Sequence, residues 1–368
     1  MNSSYDVIVV GGGPVGAACA RELALAGRRV LVLEPGDGNG AAWRAAAGML
    51  APQIESHHGG RLLEFGIAAR DHCSPLAEAL LETTGIDIGL WQEGIAWIAG
   101  NEAEAGELKS TVACQRQQGH LSDWLDPEEV RTRWPWLSPT MGALWAAHEG
   151  AVEPEKLVEA LLADAQRLGA AVVADLAVSV EQRGDRVTGV AGREARYAAP
   201  DVVIAAGAWS GNIGGVPRPL SVAPVRGQMA ALPWPTDARR AIIYGKESYL
   251  LARGDEAVVG STMEYVGFQP EVTSAGLARI FAGVTSLCPT MTKAAVRRTW
   301  AGLRPVTPDG LPIIGAEPRL QGLWYATGHG RNGILLAGLT GTIIRQLLSG
   351  EPAAEDLGEF APTRFWSW

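Results

Sequence analysis

The chain opens with an alternation of apolar and polar segments that is typical of parallel α/β proteins. Residues 5–10 form a β-branched apolar run, as expected of a strand that is buried on both faces. A glycine-rich turn follows, and then come the small, helix-forming residues 17–26 and a second apolar run at 29–33. This order predicts a strand, a turn, a helix and a second parallel strand within about 30 residues.

The same pattern returns in the middle and near the end of the chain. Apolar residues recur at helical spacing over 153–168, and residues 202–207 form another buried strand that ends in glycine. Residues 176–190 are typical of a β-hairpin, because Arg183-Gly184-Asp185 divides two short runs. A last strand at 323–326 and an apolar helix at 334–348 complete the set.

The segments between these units have a different character. Short alternating strands are predicted at 226–232, 248–252 and 257–260, among frequent prolines, which indicates a mainly antiparallel sheet. We therefore predict two interleaved domains. The dinucleotide-type domain is assigned to 1–85, 145–220 and 303–355, the second domain to 86–144 and 221–302, and a C-terminal tail to 356–368.

Composition narrows the classes of function. The 368 residues carry 40 acidic and 31 basic side chains, and this net charge of −9 disfavours nucleic acid as a partner. No apolar run reaches the ~20 residues of a membrane-spanning helix. No signal peptide is recognisable either, so no membrane anchor is expected and the cytoplasm is the default location. The four cysteines are too dispersed for a zinc site or a disulfide framework, and no metal is expected.

The tail is unusual in composition. Trp366 and Trp368 end the chain, whereas free tails are mostly polar. We expect this tail to pack against the body of the protein or against a neighbouring subunit of a homo-oligomer.

The first glycine-rich turn has the chemistry of a dinucleotide site. In Gly11-x-Gly13-x-x-Gly16, the glycines permit a tight turn, close approach of a pyrophosphate and close packing of the helix, whose N-terminus favours negative charge. Glu34 ends the second strand, where a carboxylate accepts hydrogen bonds from ribose hydroxyls and would repel a 2′-phosphate. This motif does not separate NAD from FAD.

A second glycine-rich turn lies near the end of the chain. Residues 328–333 join a predicted strand to the apolar helix at 334–348. The N-terminus of this helix would stabilise the negative charge of a reduced isoalloxazine ring.

Several blocks together resemble the D-amino-acid-oxidase superfamily, and within it the glycine oxidases of the thiamine pathway. The similarity extends over nearly the whole chain. It is found at Val9 to Gly16 with Glu34, Arg44 to Leu50, Ala205 to Ser210, Trp300 to Pro305, Thr307 to Gly315 and Gly328 to Leu335.

This resemblance implies a Rossmann-type, glutathione-reductase-like FAD-binding domain interleaved with an antiparallel-sheet α+β domain that holds the substrate. It also implies non-covalent FAD, because Gly302 stands where the related sarcosine oxidases carry a flavin-linked cysteine. Cofactor contacts are then expected from Gly11, Gly13, Pro14, Val15, Gly16, Glu34, Pro35, Arg44, Ala46, Ala47, Gly48, Met49, Ala177, Ala206, Gly207, Trp209, Arg304, Gly328, His329, Gly330, Arg331, Asn332, Gly333 and Ile334.

The resemblance also names the residues that act on the substrate. The arginine of the Gly-Leu-Arg-Pro block, Arg304, would bind a substrate carboxylate, and a guanidinium matches a carboxylate bidentately. Tyr249 would donate a hydrogen bond to the same carboxylate. Arg331 would lie near the flavin and the substrate, and no histidine is needed as a base.

Four further residues are expected to line the substrate pocket, namely Met49, Ala51, Glu247 and Met263. The glycine oxidases carry a histidine near the position that corresponds to Glu247. An acid at this place would suit a cationic or amine-bearing substrate group, or it would lie in solvent.

The expected activity is oxidative deamination of glycine, an N-substituted glycine or another small amino acid, with O2 reduced to hydrogen peroxide. Two alternatives remain open at this stage. One is a dehydrogenase of the same fold that passes electrons to a quinone or another acceptor, and the other is a flavin-binding protein without turnover.

Overall fold

A computed structural model describes residues 5–36, 40–56, 59–235 and 239–365. Its α-helices are α1 (Pro14–Leu25), α2 (Arg61–Thr84), α3 (Glu102–Gln117), α4 (Pro127–Arg133), α5 (Pro154–Arg167), α6 (Ser274–Leu287) and α7 (Gly333–Leu348). Its strands are β1 (Val7–Val10), β2 (Val30–Leu33), β3 (Met49–Leu50), β4 (Ile95–Ile98), β5 (Asp123–Leu125), β6 (Ala143–Ala146), β7 (Gly150–Ala151), β8 (Ala171–Val173), β9 (Ala177–Arg183), β10 (Arg186–Gly192), β11 (Arg196–Ala198), β12 (Asp201–Ile204), β13 (Ala223–Pro233), β14 (Ile242–Tyr244), β15 (Tyr249–Arg253), β16 (Glu256–Gly260), β17 (Arg298–Val306), β18 (Ile313–Ala316) and β19 (Leu323–Thr327).

The first sheet has the order β18-β19-β12-β1-β2-β8. Its strands pair in parallel except for β18, which is antiparallel to β19. The side chains of β1 alternate between two faces: Val7 and Val9 pack among the apolar residues of α1, α5 and α7, whereas Ile8 and Val10 pack toward the three-stranded sheet β11-β10-β9. Burial on both faces explains why β1 is apolar at every position.

The second sheet has the order β17-β13-β16-β15-β14-β4-β6-β5 and is antiparallel except at the β14–β4 pair. One face packs against α6, with Val259 near Ile280 and Val284 in the same apolar cluster. The other face carries Met229 and Tyr249 and turns toward the segment that contains Ala47 and Ile54. This second face forms one wall of the site described below.

The predicted α/β fold class is confirmed, with a parallel-strand sheet and separate antiparallel sheets. The hairpin is also confirmed, since β9 and β10 pair in antiparallel register around Arg183 and Arg186. The structure begins the last helix at Gly333, inside the second glycine-rich turn. The domain boundaries given above remain predictions.

The described part of the tail lies on the body of the protein. Phe360 is fully buried, and its ring centroid is 4.9 Å from that of Phe65. Arg364 forms an ion pair with Asp309 at 2.7 Å. The prediction for Trp366 and Trp368 falls outside the described residues.

None of the described helices has the length and apolar character needed to cross a membrane. No group of three or more His, Cys, Asp or Glu side chains in those ranges is placed to hold a metal ion.

Candidate active site

A cavity of about 460 Å³ runs between the two sheets and reaches the carboxyl ends of β1, β2 and β12. In open α/β sheets, ligands bind at this edge because the strand ends and helix N-termini meet there. Many of the predicted site residues line the cavity. These are Gly11, Gly13, Pro14, Val15, Glu34, Pro35, Ala46, Ala47, Gly48, Met49, Ala177, Ala206, Gly207, Trp209, Tyr249, Arg304, Gly328, His329, Gly330, Arg331, Gly333 and Ile334.

Backbone geometry shapes one end of the cavity, which we call the nucleotide end (Gly11 to Val15, Glu34 and Pro35). Gly11 has φ = 105°, and a Cβ there would lie 2.5 Å from the Ala205 carbonyl oxygen. A Cβ on Gly16 would collide with the Gly11 carbonyl, so α1 can approach the turn this closely only with glycine. The backbone N–H of Gly12 donates to Glu34 Oε2 at 2.6 Å, which fixes the carboxylate beside the turn.

Two helix N-termini face the cavity. α1 begins at Pro14 and α7 begins at Gly333, both lining residues, and neither N-terminus has a side-chain cap. Unpaired N–H groups and the positive end of the helix dipole therefore point toward the cavity from two places. The two helices also pack against each other, since Gly341 of α7 lies against Ala18 of α1.

The opposite end, which we call the substrate end, is lined by Met49, Glu55, Met229, Tyr249, Ser261, Arg304 and Arg331. Arg304 lies on β17, and its guanidinium donates to Ser261 Oγ at 2.8 Å and to the Thr262 carbonyl at 3.0 Å. Both acceptors are neutral, so these bonds orient the cation without neutralising it. Burial lowers the pKa of Arg304 from its ordinary value, and a guanidinium nevertheless remains charged.

Tyr249 is placed by the register of the second sheet. Met229, Gly260, Tyr249 and Tyr244 are successive partners across β13, β16, β15 and β14, and they form one row on the cavity face. Gly260 leaves room in this row, because a Cβ there would lie 3.0 Å from the Tyr249 hydroxyl. That hydroxyl donates to Met229 Sδ at 3.2 Å, and burial raises the pKa of Tyr249, which keeps it a donor.

One charged group at the substrate end, the carboxylate of Glu55, was not predicted from the sequence. Glu55 forms an ion pair with Arg331 at 2.9 Å and accepts a hydrogen bond from the Tyr244 hydroxyl at 2.8 Å. The Glu55 carboxylate raises the pKa of Arg331, and burial raises the pKa of Tyr244. Glu55 follows a short strand in an irregular segment, and no spacing or motif marks it in the sequence.

The backbone before Glu55 is anchored by a buried acid. Glu149 is fully buried and accepts hydrogen bonds from the backbone N–H groups of Gln53 and Ile54. Burial raises the pKa of Glu149 to about 8. Gln53 in turn accepts a hydrogen bond from Arg70 at 2.9 Å, so this turn is held on several sides.

Three of the predicted cofactor residues do not line the cavity. Gly16 packs beneath the turn, and Asn332 is the N-cap of α7 without a side-chain cap bond. Arg44 is exposed, with its guanidinium 4.2 Å from the centroid of the Trp43 ring. Trp43 itself lines the cavity and was not among the predicted residues.

Three of the predicted pocket residues also lie outside the lining. Ala51 is 2% exposed and belongs to the apolar cluster behind the cavity. Glu247 is exposed in the turn before β15, with its Cβ against Gly283 of α6 on the other side of the sheet. Met263 is 58% exposed, because it lies in the loop that follows β16. The structure therefore gives these three side chains no contact with the cavity.

His329 and Gly302 both line the cavity. Burial lowers the pKa of His329 to about 3, and its Nε2 lies 3.1 Å from Thr340 Oγ1, so the imidazole is neutral near pH 7. A Cβ on Gly302 would lie 2.6 Å from Ala45 Cβ, which leaves no space for a thiol side chain in this arrangement.

Comparison with known proteins gives consistent matches. Residues 6–347 match the family model described as FAD dependent oxidoreductase. The glycine oxidase of Geobacillus kaustophilus is 35% identical over 99% of this chain and 98% of its own length. Its crystal structure superimposes with a TM-score of 0.93 over 98% of this chain and 99% of that chain. The glycine oxidase of Pseudomonas aeruginosa is 32% identical over 98% of this chain and 99% of its own length.

Proposed function

Since the chain belongs to the family of FAD-dependent oxidoreductases, we propose that it oxidises the α-carbon of glycine or of an N-substituted glycine. Membership establishes the cofactor, FAD, and the general reaction, oxidation of an amine or amino acid. The choice of an amino acid, with a carboxylate next to the amine, rests on one observation, which is the uncompensated Arg304 guanidinium beside the Tyr249 hydroxyl at the substrate end of the cavity. The restriction to a glycine-type substrate is supported by the similarity of the chain to glycine oxidases.

The nucleotide end fits the polar half of the cofactor. The N-terminus of α1 would hold the pyrophosphate, and Glu34, fixed by the Gly12 N–H, would accept hydrogen bonds from the ribose hydroxyls. The N-terminus of α7 would stabilise negative charge on the isoalloxazine ring. Bound FAD supplies the acceptor for the hydride that leaves the substrate carbon.

Arg304 would bind the substrate carboxylate with its two terminal nitrogens, and Tyr249 would donate to the same group. Holding the carboxylate at two points restricts the position of the adjacent carbon, and orientation of this kind lowers barriers by several kcal/mol (~7–11 in favourable cases). Met49 and Met229 line the space beside these groups and limit the size of what binds there.

The side chains of the substrate end act as donors and as charges. Glu55 is engaged by Arg331 and Tyr244, and burial keeps Tyr249 protonated. Elsewhere in the cavity lining, His329 is neutral. None of these groups is available to take a proton from an ammonium group, and we therefore propose that the substrate amine enters in its neutral form. It loses a hydride from carbon and a proton from nitrogen, and water then hydrolyses the resulting imine to glyoxylate and ammonia or a primary amine.

We propose that O2 takes up the electrons and is released as hydrogen peroxide. The test is a peroxide assay on purified holoenzyme with glycine, sarcosine, D-amino acids, L-proline and N-alkyl glycines. Peroxide formed with glycine or an N-substituted glycine, and not with larger D-amino acids, is the expected result. Turnover with an electron-accepting dye but not with O2 would indicate a dehydrogenase, and no flavin reduction by any amine would contradict the proposal.

A further inference from the structure

The substrate end contains two guanidinium groups and one carboxylate. Among the described residues that line it, the charged side chains are Arg304, Arg331 and Glu55. Arg304 is bonded only to neutral oxygens, whereas Arg331 is paired with Glu55 at 2.9 Å. The formal charge of this end is therefore +1, which matches a ligand with one carboxylate.

The Glu55 carboxylate is held in place from two directions. Tyr244 donates to the same Glu55 oxygen that Arg331 contacts, and the Tyr244 ring packs 5.4 Å from that of Tyr249, centroid to centroid. The preceding turn is bound through backbone N–H groups to the buried Glu149. The bond from Tyr244 and the anchored turn therefore hold the Glu55 carboxylate beside Arg331.

Arg331 is the more accessible member of the pair. Its side chain is 53% exposed and lines the cavity, whereas the side chain of Glu55 is 11% exposed. A second anionic group on a ligand held by Arg304 would approach Arg331 and would then also lie close to Glu55. Its attraction to Arg331 and its repulsion from Glu55 would nearly cancel, and the cost of desolvating this second anionic group would remain.

We propose that Glu55 determines the charge of the substrate: by neutralising Arg331, it restricts the enzyme to amines with a single carboxylate and excludes those with a second one on the nitrogen substituent. This inference rests on the function proposed above and adds a substrate class to it. Removing the Glu55 charge would leave Arg331 as a free cation and would create a second carboxylate subsite.

The test uses two ligands of nearly the same shape that differ by one charge. Diglycolate has two carboxylates joined through an ether oxygen, and in its monoamide one carboxylate is replaced by a carboxamide. Neither has an amine to be oxidised, so binding is measured at equilibrium from the change in flavin absorbance of the holoenzyme. We expect the wild-type protein to bind the monoamide at least about tenfold more tightly than diglycolate, equivalent to ~1.4 kcal/mol.

Two variants complete the experiment. Glu55→Gln should shift the ratio of the two dissociation constants by at least about tenfold in favour of diglycolate. Tyr244→Phe is the matched control, because it removes the other hydrogen bond to Glu55 and keeps the charge, and it should preserve the wild-type preference. The wild-type comparison stands by itself if Glu55→Gln does not retain FAD.

Equal binding of the two ligands by the wild-type protein would overturn the inference. An unchanged ratio in Glu55→Gln would do the same, and weaker binding of both ligands there would assign Glu55 a different role. Different results would contradict the proposed function itself. These are no binding of the monoamide by the wild-type protein, or equally tight binding of the monoamide by Arg304→Ala. Binding that depends on Arg304 without a charge preference would overturn only the role of Glu55.

Discussion

The two ends of the cavity are built in different ways. The nucleotide end is made mainly of backbone from one contiguous segment, with Gly11 in a left-handed conformation and Glu34 bonded to the Gly12 N–H. The substrate end is made of side chains from separate parts of the chain: Glu55 follows β3, Tyr249 begins β15, Arg304 lies on β17 and Arg331 precedes α7. The first end depends on local conformation, and the second depends on tertiary register.

This difference predicts how each end responds to substitution. A change at the nucleotide end should act on cofactor retention, because the backbone that we propose to hold the phosphates would be displaced. A change at the substrate end should act on substrate affinity and leave the cofactor bound. The predictions on binding that follow are arranged from the largest expected effect to the smallest.

Gly16→Ala should have the largest effect. The added methyl would collide with the Gly11 carbonyl, so α1 must move away from the turn at a cost of about 1–3 kcal/mol, and FAD should be lost on purification. The ratio of flavin to protein absorbance measures this loss. Gly106→Ala is the control, because Gly106 lies on α3 with open space around its Cβ position. Full FAD content in Gly16→Ala would show that the turn is not a close-packed site.

Arg304→Ala should raise KM for the substrate by roughly 10- to 100-fold while FAD content stays at the wild-type level, since hydrogen bonds to charged groups contribute about 1.5–3 kcal/mol. Steady-state kinetics and the flavin absorbance give the two readouts. Arg298→Ala is a matched control on the same strand, because Arg298 is exposed and pairs with Glu256. An unchanged KM in Arg304→Ala would remove the carboxylate role.

Glu34→Ala should weaken FAD binding by about tenfold through loss of the proposed ribose contact and of the bond from the Gly12 N–H. Titration of the apoprotein with FAD, followed by quenching of flavin fluorescence, gives the dissociation constant. At saturating FAD the substrate KM should be unchanged. A raised KM under those conditions would mean that the two ends are not separable.

More of the residues at the nucleotide end than at the substrate end could be predicted from the sequence, because the two ends are built in different ways. Glycine spacing and the acid at the end of β2 are local signals, so Gly11, Gly13 and Glu34 could be predicted as cavity residues. Tyr244 shares a face with Tyr249 only because of the strand register in the second sheet, and no local pattern specifies that pairing.

The resemblance to a family also predicted the cavity-lining residues incompletely. It pointed to Arg304 and Tyr249, which the structure places in the cavity, but also to Glu247 and Met263, which lie outside its lining. A family motif identifies the corresponding position in the sequence, but it does not specify the direction of the side chain there. Whether the side chain faces the cavity depends on the turn before β15 and on the loop after β16.

A separate prediction concerns the pH dependence of stability instead of ligand binding, and it involves His329, which lines the cavity. Burial lowers its folded-state pKa to about 3, whereas an unfolded histidine titrates near 6.5. Between these values the unfolded chain binds the additional proton, so acidification from pH 7 to pH 5 should cost the wild type roughly 2 kcal/mol through this residue. His329→Gln should therefore lose a few degrees less in Tm over that range. Equal losses in both proteins would show that His329 is not buried as a neutral imidazole.

The central claim is that a carboxylate next to the amine is required because Arg304 binds it, and one measurement addresses it directly. Wild-type holoenzyme is mixed without oxygen with glycine, or with sarcosine, and in parallel with the corresponding neutral amide, while the visible absorbance of the flavin is followed. The account predicts that at least one of the amino acids reduces the flavin and that its amide does not do so at the same concentration. Equal reduction by the amino acid and its amide, or reduction by neither amino acid, would contradict it.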